Sequence, residues 1–155
     1  MGSAKMVDKK FYLSAPRSIQ EIGMRAQIVS FLISHGITAG NAINDPDNNK
    51  QVIVAVRAEN DNKINEIRDE LVAHLNKLSQ NDLCYSEFPK DITATKIMDL
   101  SNPHPVVVLE LGGLSDGLML EQTSKGAGAM KQLVKVLEPL KALPAAIEKL
   151  SSKIK

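Results

Sequence analysis

Seven consecutive residues, Gln51-Val52-Ile53-Val54-Ala55-Val56-Arg57, narrow most what this chain can become. They are rich in β-branched side chains and form the clearest strand in the sequence. Directly before them, Asp45-Pro46-Asp47-Asn48-Asn49 concentrates the residue types that build tight turns. The apolar run Ile37–Ile43 precedes that cluster, so residues 37–57 predict a β-hairpin.

Helical periodicity flanks the hairpin on both sides. Upstream, Phe11–Ala15 reads as a first strand. Ile22, Ala26, Ile28, Val29, Leu32 and Ile33 then keep helical spacing up to His35, and Gly36 is a natural stop. Downstream, Asn60 or Asp61 is placed to cap a second helix with the buried stripe Ile64, Ile67, Leu71, Leu75 and Leu78. Its opposite face carries Lys63, Glu66, Asp69, Glu70 and Lys77, a solvated surface. Leu83–Phe88 reads as a fourth strand. The order β-α-β-β-α-β predicts an α+β fold of ferredoxin-like type, an antiparallel sheet with both helices on one face.

Aliphatic side chains must build the core, because hydrophobic residues make up 43% of the 155 but aromatics only 3%. The net charge of +1 argues against a chain-wide nucleic-acid footprint. That charge is uneven. Residues 1–124 carry 12 Lys/Arg against 16 Asp/Glu, whereas residues 125–155 carry 7 Lys against 2 Glu. The single cysteine, Cys84, excludes an internal disulfide framework and fits a reducing compartment. No run approaches the roughly 18 apolar residues of a spanning helix, and no charged-then-apolar leader opens the chain. A cytoplasmic location is the expectation.

Two short motifs carry a family resemblance. Gln20-Glu21-Ile22-Gly23-Met24-Arg25, with Ile19 ahead of it, resembles the acylphosphatase signature V-Q-G-V-x-F-R. Gly40-Asn41-Ala42-Ile43-Asn44-Asp45-Pro46-Asp47 resembles that family's second signature, G-x-V-x-N-x-x-D. The similarity covers roughly the first two-thirds of the chain. It implies the same ferredoxin-like fold and hydrolysis of the carboxyl-phosphate bond of small acyl phosphates. Arg25 and the amides of the loop Ser18, Ile19, Gln20, Glu21, Ile22 and Gly23 would clamp the phosphate, and Asn44 would orient the attacking water. No metal, cofactor or covalent intermediate is implied. A loop feeding a helix N-terminus suits an anion on physical grounds as well.

The chain departs from the family where Arg17 and Glu21 replace loop glycines, which permit positive φ and close approach of a ligand to the backbone. Glu21 sets a carboxylate beside the anion position. At about 5 Å and an effective dielectric near 20, two unit charges interact by roughly 3 kcal/mol. That is comparable with what Arg25 supplies, so Glu21 is expected to weaken phosphate binding. The alternative reading is therefore a catalytically impaired acylphosphatase-like module that binds an anion or a protein partner.

Residues 1–6 are set aside as an appended remnant or a disordered start, and residues 7–111 form the expected domain. Beyond Pro89, Ile92–Met98 reads as extended and Pro105–Leu111 as a strand. Gly112-Gly113 and Gly117 enclose a turn, so residues 105–122 predict a second hairpin that extends the sheet. The rest of 112–155 is a basic amphipathic tail in which Pro139 and Pro144 divide two short helices. The tail either packs on the sheet, pairs with the same helices of another subunit through its heptad-like spacing, or lies on an anionic membrane. It has no aromatics with which to stack on nucleic acid.

Gly113-Leu114-Ser115-Asp116-Gly117 matches a nucleophile-elbow pattern, but His35, His74 and His104 all precede Ser115, so a turn is the better reading. The three histidines lack ligand spacing and have one cysteine to join them, which argues against zinc. His74 reads as a packed or surface side chain, and Cys84 as a core or edge residue rather than a nucleophile.

Overall fold

The central hairpin sets the layout of the sheet. In the computed structural model, which describes residues 5–20, 23–81, 89–118 and 147–150, β2 (Ala39–Asn44) pairs antiparallel with β3 (Gln51–Ala58) around the 45–50 turn. β1 (Val7–Ser14) pairs antiparallel with the other edge of β3 along its whole length. Two very short strands complete the sheet: β4 (Thr93–Ala94) beside β1 and β5 (Leu109–Glu110) beside β2. The order is β4-β1-β3-β2-β5, antiparallel throughout.

Alternation along the strands separates two apolar faces. Phe11, Leu13, Ala42, Val52, Val54 and Val56 point to one side. There they meet α1 (Met24–Ser34) through Met24, Ile28, Val29 and Leu32, and α2 (Asp61–Asn81) through Ile64, Ile67, Leu71 and Leu75. The four α2 side chains are 0–1% exposed, and burial of each contributes about 1.5–3 kcal/mol. Both helices stop and start where the sequence marks them. Gly36 adopts φ +80, and the Ile37 and Gly36 amides donate to the Leu32 and Ile33 carbonyls, which closes a Schellman C-cap. Asn60 caps α2 by accepting from the Lys63 amide at 2.8 Å.

The opposite face is also covered. Tyr12, Ile53 and Ala55 pack with Val106, Met98, Leu100 and Val108 from the connection between β4 and β5. That connection is tied to β1 by the reciprocal bonds of Lys10 and Met98.

The C-terminal part differs from the expected second hairpin. Only Leu109–Glu110 of the 105–111 run is a strand, and residues 111–118 are a helix, α3. The glycines at 112 and 113 are thus not a turn between strands. Their amides both donate at 2.8 Å to the Glu110 carboxylate, which caps the helix start. Leu111 and Leu118 of α3 are buried in the helix-side core, so that core reaches past residue 111. Met1–Met119 forms one compact unit and Leu120–Lys155 another. Of the second, residues 147–150 are described and are helical. The strand expected at 83–88, Cys84 and most of the basic tail lie outside the described residues. No helix among the described residues is long and apolar enough to cross a membrane.

Candidate functional site

The loop after β1 is fastened to the β2–β3 turn. The Ala15 and Ile19 amides donate to the carbonyls of Lys50 and Asn49, and the Ser18 hydroxyl donates to that of Asn49. Ile19 itself is fully buried in the helix-side core. Gln20 supplies the main clamp: its Nε2 donates to the carbonyls of Asp45, Asn48 and Gln51 at 2.9, 3.1 and 3.1 Å. Of the residues read as an anion loop, Ile19 thus directs its amide at the turn, and Ser18 and Gln20 direct their side-chain donors there. Glu21 and Ile22 lie outside the described residues.

Gly23 adopts φ +84 and stands at the N-cap of α1 without a side-chain cap bond. An L side chain is rarely accommodated there, which is the physical reason for a glycine in this chain at the variable position of the motif. The first intrahelical bond runs from the Gln27 amide to the Gly23 carbonyl. The amides of Met24, Arg25 and Ala26 thus precede it, at the positive end of the helix dipole. Arg25 is half-buried in that first turn, which contains no acidic residue.

Asn44 ends β2 opposite Val52, and Ser14 ends β1 opposite Gln51. The loop, the start of α1 and Asn44 therefore share one end of the sheet. Ala42 faces the helices and Ile43 the other side, so alternation turns Asn44 toward the helix layer. Its carboxamide is half-buried and takes no hydrogen bond among the described residues. The fold brings Arg25 and Asn44 to the same end, although 19 positions separate them in the sequence.

A second polar cluster, on the sheet's other face, is one that sequence reasoning missed. Lys10 is fully buried there and donates to the carbonyls of His104 at 2.6 Å and Leu100 at 3.4 Å, with its ammonium 5.6 Å from the Tyr12 ring centre. Burial pushes the Lys10 ammonium below its ordinary pKa. The Tyr12 hydroxyl lies 3.0 Å from His104 Nδ1. His104 Nε2 lies 2.7 Å from Asp47 Oδ2 and 3.6 Å from Asp45 Oδ1. Burial, with the nearby Asp45 carboxylate, raises the Tyr12 phenol above its ordinary value. His104 stands 57 positions from Asp47, so no local spacing betrayed the group. The only signal was the acidic turn itself.

The chain matches no protein-family model, no curated protein and no solved structure.

Proposed function

We propose that the compact unit is a ferredoxin-like domain of acylphosphatase type, and that its loop–α1 end binds and hydrolyses small acyl phosphates. The observation that carries this reading is the meeting of three features at one end of the sheet: Gly23 with positive φ, Arg25 in the first turn of α1, and the Asn44 carboxamide, which takes no hydrogen bond among the described residues. The strand order β4-β1-β3-β2 with both helices on one face supports the fold assignment.

In this reading Arg25 and the amides at the start of α1 hold the phosphoryl oxygens, and Asn44 orients water toward phosphorus. Charge developing on those oxygens in the transition state meets donors that are already fixed. The second reading, an anion-binding module without turnover, is favoured by the Ile19 amide, which is spent on the turn and so leaves the phosphate clamp one donor short.

Turnover of a generic acyl phosphate, measured for wild type, Arg25→Ala and Asn44→Ala, separates the two. Loss of about 10²–10³-fold in each variant is the hydrolase outcome. Phosphate binding that disappears in Arg25→Ala without wild-type turnover identifies the binding module. Absence of both turnover and binding overturns both readings.

A further inference from the structure

We propose that Asp45, Asp47 and His104 form a binding site for a first-row divalent cation of the zinc type. One ligand atom from each lies within 4.8 Å of the others. The His104 Nε2 separations of 2.7 and 3.6 Å from the two carboxylates bracket the edge of about 3.3 Å expected of a tetrahedron with bonds near 2.0–2.1 Å. An imidazole with two carboxylates is a donor set that such ions accept, and its two negative charges match a divalent cation.

Asp45 is the observation that separates this group from an ordinary acidic turn. Its side chain is only 3% exposed. Oδ1, the oxygen 3.6 Å from His104 Nε2, accepts the Asp47 amide at 2.9 Å and keeps a second lone pair, and Oδ2 takes no hydrogen bond among the described residues. A carboxylate withdrawn from water with one oxygen unspent is costly unless something positive completes it. The Lys10 ammonium directs its two hydrogen bonds to main-chain carbonyls, and His104 Nε2 approaches Asp47 at 2.7 Å but stays 3.6 Å from Asp45, so neither makes a hydrogen bond to the buried carboxylate.

The surrounding contacts orient the ligands. The Tyr12 hydroxyl at His104 Nδ1 fixes the imidazole so that Nε2 is the nitrogen presented to the carboxylates. Lys10 holds the His104 main chain from beneath. Asp47, 79% exposed, gives the ion a route in from solvent. Neither Arg25 nor Asn44 is a ligand, so the site stands independently of the acyl phosphate reading.

The full chain titrated calorimetrically with zinc alone should show one saturable site, and cobalt(II) should give a d–d absorption band at the same stoichiometry. Asp47→Asn changes an exposed side chain and leaves the core untouched, and should weaken zinc at least tenfold. Tyr12→Phe keeps all three ligands but frees the imidazole. It should weaken zinc about tenfold and alter the cobalt band. His35→Ala, which removes the imidazole 3.3 Å from Glu70, should leave the affinity unchanged. Binding that does not saturate, equal affinity in wild type and Asp47→Asn, or loss of the site in His35→Ala would each overturn the assignment.

Discussion

His74 illustrates how a packed histidine acquires a pH dependence without a catalytic role. Its ring lies 5.2 Å from that of Phe31, which stacks at 3.9 Å on His35, and His35 in turn reaches Glu70. Burial first, and then the charge of His35, lowers its pKa from the ordinary value of 6.5. The unfolded chain therefore binds the His74 proton more readily than the native protein does. This contribution to stability is complete above the unfolded pKa and is lost as pH falls through the lowered native value. An NMR titration should place the His74 midpoint below 6.5 and move it upward in His35→Ala. His74→Gln should flatten the pH dependence of the melting temperature just below pH 6.5. A midpoint at or above 6.5 in wild type would contradict the assignment.

Among the elements, the β2–β3 pair depends on one position. A Cβ built on Gly40 would stand 2.4 Å from the Ala55 carbonyl oxygen, a main-chain atom that cannot turn aside. Gly40 also faces Val56 on one side and Leu109 on the other. Gly40→Ala should therefore cost about 1–3 kcal/mol, the usual range for forced overpacking, read as a lower urea midpoint with unchanged slope. An unchanged midpoint would show that the strands can separate without penalty. The five elements β1, α1, β2, β3 and α2 were legible in the sequence because each is long enough to show a period and is bounded by Gly36, the 45–49 turn or Asn60. β4 and β5 have two residues each and carry no period. The Pro105–Leu111 run looked like a strand because of its valines, yet Val106 fills the second-face core while Val107 is 70% exposed. α3 was hidden by three glycines, and its start depends on Glu110, a tertiary detail of one carboxylate. Motif spacing singled out Arg25 and Asn44, and the fold brings both to one end of the sheet. The Asp45–Asp47–His104 group required the chain to cross the sheet.

At the scale of the whole molecule, the question is how much chain the sheet needs in order to fold. The expected domain ended at residue 111, but Leu111 is 0% and Leu118 7% exposed within the helix-side core. At about 1.5–3 kcal/mol for each fully buried leucine, their removal takes away an amount comparable with the lower range of total stability, about 5 kcal/mol. β5, which pairs with Ala39 and Gly40, would go with them and leave β2 as an unpaired edge. A fragment of residues 1–119 has its own continuous core and should unfold in urea as a single cooperative transition by circular dichroism. A fragment of residues 1–108 should show a midpoint lowered by several kcal/mol of stability, or no cooperative transition at all. Equal midpoints for the two fragments would mean that α3 adds nothing to the core, and that the unit closes at β3 and α2.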